Sequence, residues 1–144
     1  LEKSLGGAKK GGESPLNEVY DYADKVTEHG LVFMNTPGYD PVATTGQVAG
    51  GANMVAFTTG RGSCFGGVPS PVLKLASNTS MYERMEGDMD INCGVIIDGD
   101  KTLDEMGEVI FKRILEVASG DESKSEALGV GEDEFVPWPI GVLA

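Results

Sequence analysis

Short, mostly apolar runs constrain this chain most: residues 31–34 (LVFM), 54–58 (MVAFT), 72–76 (VLKLA) and 95–97 (VII). Runs this short without polar alternation suit strands buried on both faces, as in parallel sheets covered by helices. Helical spacing fills the intervals, so the pattern predicts an α/β layer fold with a mostly parallel sheet. In such a sheet a ligand binds beyond the carboxyl ends of the strands, here the loops at 35–42, 59–71 and 77–80.

The clearest predicted helix covers 102–119. Thr102 and Glu105 make a capping box, Gly120 supplies the stop, and Leu103, Met106, Ile110, Ile114 and Val117 form the buried stripe. Glu108 with Lys112 supports its wet face. Ser14 and Pro15 read as a helix start, with Leu16, Val19, Tyr20, Ala23 and Val26 at helical spacing after them. His29 then falls at a helix end, where a cation suits the dipole. Residues 43–52 form a small-residue helix and 80–86 a short one. The prolines of 135–140 favour an extended segment covering an edge or an interface. Residues 1–14, with Gly6, Gly7, Gly11 and Gly12 among lysines, read as a flexible linker, and 15–144 as the folded domain.

A chain of 144 residues is the size of one domain. Its 11 Lys and Arg against 23 Asp and Glu leave a net charge of −12, which repels nucleic acid and anionic membrane. No apolar run approaches the roughly 18 to 20 residues that span a bilayer, so a soluble, cytoplasmic protein is expected. Cys64 and Cys93 are too few for a disulfide framework, and His29 is the sole histidine. The start at Leu1 in a glycine-rich tract suggests a piece of a longer protein.

Thr58, Thr59, Gly60, Arg61, Gly62 and Ser63 have the make-up of an anion cradle. Glycines admit a ligand close to backbone N–H groups, and hydroxyls and a guanidinium add charge-assisted hydrogen bonds. A tight turn with a solvated arginine is the plainer alternative. The spacing Gly60-x-Gly62-x-x-x-Gly66 misses the dinucleotide fingerprint, which disfavours a nucleotide-binding oxidoreductase, and no Walker A pattern occurs. Asp88, Asp90 and Asn92 imitate the start of a calcium loop, but Cys93 and Gly99 stand where that loop needs glycine and glutamate. Asp40 either presents a carboxylate at the active face or caps a helix. Lys74 interrupts an apolar strand, so its ammonium must reach water or pair with an acid or anion. Cys64 and His29 have no geometry that suggests a nucleophile and its base.

The stretches GLVFMNTPGYDPVATTGQVAGGANMVAFTTGRG, PSPVLKLASNTSMYERMEGDMDINCGVIIDG and EFVPWPIGV resemble the C-terminal part of the altronate and galactarate dehydratase family, most specifically at FTTGRG, KLASNT and MDIN. The resemblance implies a Rossmann-like, mostly parallel sheet flanked by helices in three layers, without nucleotide. It implies a hydro-lyase that converts a sugar acid to a 2-keto-3-deoxy product with a divalent metal, iron foremost and magnesium or manganese as alternatives. By the same analogy Thr58, Thr59, Gly60, Arg61, Gly62 and Ser63 bind substrate, with Asn78, Thr79 and Asp40 on the same rim. Metal ligands and the general base fall outside this chain, which alone would be inactive. The partners implied are a small-molecule sugar acid, the remainder of its own chain and, as an option, a second copy. A non-catalytic ligand-binding or interaction domain is the alternative from another class.

Overall fold

β4 (Val72–Ala76) organises the molecule, because its sequence VLKLA offers both faces to a core and all five residues are buried. Residues 1–137 are described by the computed structural model. In it β4 lies between β3 (Val55–Thr59) and β5 (Ile91–Asn92), while β1 (Leu16–Tyr20) pairs separately with β2 (Leu31–Met34). All three pairings are parallel. Parallel neighbours need crossovers instead of hairpins. α3 (Thr79–Arg84) occupies the one from β4 to β5, while α2 (Asp40–Ala49) follows β2 and precedes β3 of the other group of strands. The α/β class is as the apolar runs predict, with the strands in groups of two and three.

The two faces of β4 are covered differently. Leu73 and Leu75 pack with Ile91 and with Met106 and Val117 of α5 (Leu103–Ala118), against which Ile110 and Ile114 also close. The register Val55↔Val72, Phe57↔Lys74, Thr59↔Ala76 puts these six residues on the other face. There Phe65 packs with Val55 and Val72, and Met81 and Met89 with Ala76.

α5 begins as predicted. Thr102 Oγ1 accepts from the Glu105 N–H at 3.2 Å, Glu105 Oε2 accepts from the Thr102 N–H at 2.8 Å, and Gly120 takes a positive φ of 112° after the helix. Its stripe starts a turn later than expected, since Leu103 is 73% exposed. Its surface ion pairs join Lys112 to Glu116 at 3.8 Å and Arg113 to Glu116 at 3.3 Å, in place of Glu108 with Lys112.

Three further expectations give way. Residues 16–20 are a strand, not a helix: the β-branched and aromatic residues of LNEVY pair along β2, and Ala23 has a φ of 65°, which no right-handed helix admits. The Tyr20 hydroxyl accepts from the N–H groups of Thr27 and Glu28, folding the chain back at 27–28, so His29 ends no helix. Its carbonyl accepts from Asn17 Nδ2 at 2.6 Å. Residues 95–97 are not a strand either. Asn92 Oδ1 accepts from the Gly94 N–H at 2.9 Å and turns the chain out of the sheet, so Val95–Asp98 is a single helical turn, α4.

The lead-in is helical over Glu2–Lys9 (α1), where irregular chain is expected, and its described side chains are exposed. A last short helix, α6 (Lys124–Ala127), starts at a second capping box, Ser123 with Glu126. Val136 donates its N–H to Thr45 Oγ1 at 2.8 Å, which fixes Val136 on α2. Trp138, Pro139 and Ile140 lie outside the described residues. Among the described residues no helix is long and apolar enough to cross a membrane.

Candidate functional site

The carboxyl ends of β3, β4 and β5 are stitched into one rim by side chains that bond to neighbouring backbone. Beyond β3, Thr59 Oγ1 accepts from the Gly62 N–H at 3.2 Å and closes the Gly60–Gly62 turn. Gly62 has a φ of 96°, and a Cβ there would collide with Met85 Sδ, so only glycine fits. Beyond β4, Asn78 donates from Nδ2 to the Gly60 carbonyl at 2.9 Å while its Oδ1 accepts from the Met81 N–H at 2.9 Å. One side chain thus ties β3 to β4 and caps α3. Thr79 donates to Asp98 and its Oγ1 accepts from Asn92 Nδ2 at 3.1 Å, joining the end of β5 and α4 to the same rim. Gly94 lets these segments meet, since a Cβ at that position would stand 2.6 Å from the Asn78 Cα.

Thr59, Gly60, Gly62, Asn78 and Thr79 are therefore brought together. Thr58 alternates to the opposite, exposed face of β3 and is not part of the rim. Ser63 Oγ accepts from the Phe65 N–H at 3.1 Å and shapes the loop. Arg61 is exposed at the turn, and among the described residues its guanidinium has no hydrogen bond or ion pair. Asp40 is the first residue of α2, exposed, with Tyr39 in the capping position. It follows β2 in the other sheet and shares no hydrogen bond with the rim among the described residues. The anion-cradle reading overlooked Asn92 and Asp98. Asn92 lies in the MDIN segment, which was the available signal, whereas nothing in the spacing marks Asp98.

The acids do not assemble a cation site. Asp90 Oδ2 accepts from the Lys74 N–H at 2.7 Å and its Oδ1 from the Lys124 N–H at 2.8 Å, so both oxygens are engaged by backbone. Among the described residues no three His, Cys, Asp or Glu side chains could hold a metal ion together. These residues do not make a site for the divalent metal that the resemblance implies. The Cys93 thiol is half-buried and pushed up from its ordinary pKa by desolvation, unlike a thiolate nucleophile.

The sequence matches the family described as D-galactarate/altronate dehydratase, C-terminal, over residues 1–143. It is 42% identical over 120 residues to galactarate dehydratase (L-threo-forming) of Escherichia coli strain K12, covering 83% of this chain and 23% of that protein. With altronate dehydratase of Bacillus subtilis strain 168 it shares 36% identity over 119 residues, 83% of this chain and 24% of the relative. With the (2R)-sulfolactate sulfo-lyase subunit beta of Chromohalobacter salexigens it shares 31% over 136 residues, 94% of this chain and 34% of the relative. The chain thus spans only a quarter to a third of the length of these curated relatives.

Proposed function

The chain belongs to the D-galactarate/altronate dehydratase family as its C-terminal region, and from that premise we propose that it supplies the substrate-carboxylate rim of a hydro-lyase acting on a sugar acid. Altronate and galactarate are the leading substrates, because the relatives with the higher identities are named for them. Dehydration removes the proton next to a carboxylate and expels the β-hydroxyl as water, and the resulting enol becomes a 2-keto-3-deoxy acid. No oxidant or reductant is needed. The base, and a divalent metal if one serves, belong to the rest of the longer protein, so the isolated segment is expected to be inactive.

Arg61 carries this assignment. A chain of net charge −12 repels an anionic substrate unless positive charge is concentrated where the substrate lands. An exposed guanidinium without a partner among the described residues, set on a glycine turn, supplies that charge in a geometry suited to a carboxylate. Its test is Arg61→Ala in the full-length protein. The catalytic efficiency kcat/KM falls at least about tenfold, the effect of losing a charge-assisted contact worth roughly 1.5 to 3 kcal/mol. The melting temperature stays unchanged, because among the described residues the side chain bonds to nothing in the fold. Activity within about twofold of wild type contradicts the assignment.

An interaction role is supported by a separate observation. Leu16, Val19 and Phe33 on β1 and β2 are 55%, 55% and 56% exposed, an apolar surface suited to packing against the remainder of the protein. This role complements substrate binding and does not replace it.

A further inference from the structure

Lys74 stands in the middle of β4, and the alternatives open to a lysine there are to reach water along its methylenes or to meet an acid or anion. It does not reach water: the residue is 0% exposed. It meets no acid either, since Nζ is buried without a hydrogen-bond partner among the described residues. Residues 138–144, WPIGVLA, contain no Asp or Glu side chain that could serve. A buried ammonium without a counter-charge is strongly unfavourable, so its retention calls for an anion supplied from elsewhere.

Its place in the sheet indicates which anion. Lys74 faces the same side as Thr59 and Ala76, opposite Phe57 in register. Phe65 with Val55 and Val72 packs to one side of it along the strand, and Met81 and Met89 with Ala76 to the other. The next residue on that face is Ala76, paired with Thr59, after which β3 runs into Gly60 and Gly62. Between Lys74 and the turn that presents Arg61 the chain thus places Ala76 and Thr59, with Met81 and Met89 packed on Ala76, and then Gly60. Its backbone is fixed at that height, because the Lys74 N–H donates to Asp90 Oδ2 at 2.7 Å.

We propose that Lys74 is the inner half of the anion site, its ammonium taking a carboxylate oxygen of the sugar acid while Arg61 receives the acid from the outer side of the turn. This assignment rests on the sugar-acid role given above. The contact is non-covalent. Away from water the charge acts more strongly than at the surface, and it opposes the negative charge that grows on the carboxylate as the neighbouring carbon loses its proton.

The test compares the full-length wild type with Lys74→Met, which keeps the chain length in an apolar strand. Melting temperature and affinity are measured with D-galactarate, with D-altronate and with galactitol as the uncharged control. Wild type is stabilised by an acid and not by galactitol. Lys74→Met melts at the same or a higher temperature without ligand, binds the acid at least about tenfold more weakly and loses the acid-induced shift. A lower melting temperature without ligand, or a variant too unstable to purify, overturns the proposal by showing that Lys74 already has a protein partner. Unchanged affinity overturns it as well. Lys74→Gln is read by the same criteria. If wild type binds neither acid, the sugar-acid role itself fails; if wild type binds and Lys74→Met binds equally, only the Lys74 assignment fails.

Discussion

Asp90 sets the relation between β4 and its neighbours with two oxygens. One receives the buried N–H of Lys74, and the other the N–H of Lys124 at the start of α6. Removing the carboxylate strands a buried donor and frees α6 from the sheet. Asp90→Ala is therefore expected to destabilise the protein by about 2 kcal/mol or more, and Asp90→Asn, which keeps one acceptor oxygen, by less. Denaturant unfolding of the two variants checks the order, and equal stability of all three proteins contradicts the role. Residues of this kind mark where sequence reading stops. The run Asp88, Asp90, Asn92 signals chemistry by composition, but the oxygens of Asp90 and Asn92 face backbone N–H groups and a threonine instead of a cation. Arg61 and the glycines around it could be read from the sequence because their backbone requirement is local. The buried state of Lys74 could not, since it depends on Phe65, Met81 and Met89, brought in from separate segments.

The elements separate in the same way, by whether their determinants are local. α5 carries its start signal within four residues, and it forms where the sequence places it. Glu105 is held below the usual carboxylate range by hydrogen bonds from the Thr102 backbone N–H and from the Thr102 hydroxyl. A lowered folded-state value means that this stabilisation is complete above the ordinary glutamate value of 4.5 and is lost as pH falls through the folded-state value. Wild type is accordingly expected to exceed Glu105→Gln in stability at neutral pH, with the difference shrinking as the solution is acidified. Melting curves from pH 7 down to about pH 3 measure it, and a difference that grows in acid would contradict the cap. β1 and β5 show the opposite case. Leu16, Val19 and Tyr20 satisfy helical spacing as well as strand pairing, and only the presence of β2 alongside decides. Ile91–Asn92 is too short to show a period, so the longer apolar run at 95–97, just past the turn at Gly94, reads as the strand instead.

At the scale of the whole molecule, an acidic chain gathers three strand ends into a rim of backbone, amide and hydroxyl groups, with Arg61 outside it and Lys74 beneath. The family and the α/β class were readable because the parallel strands and the FTTGRG, KLASNT and MDIN segments are continuous in sequence. The division into two groups of strands was not, because it depends on how crossovers pack. The chain spans a quarter to a third of its relatives, and the proposed role is a binding surface that works with catalytic groups carried elsewhere. The most direct measurement is product formation by the full-length protein, reduced and supplied with ferrous iron or magnesium, from galactarate, altronate, glucarate and sulfolactate in turn. A 2-keto-3-deoxy acid formed with loss of water from one of the sugar acids is the predicted result. No product from any of the four acids, in protein shown to be folded and metal-loaded, would contradict the dehydratase assignment and leave a binding domain in its place.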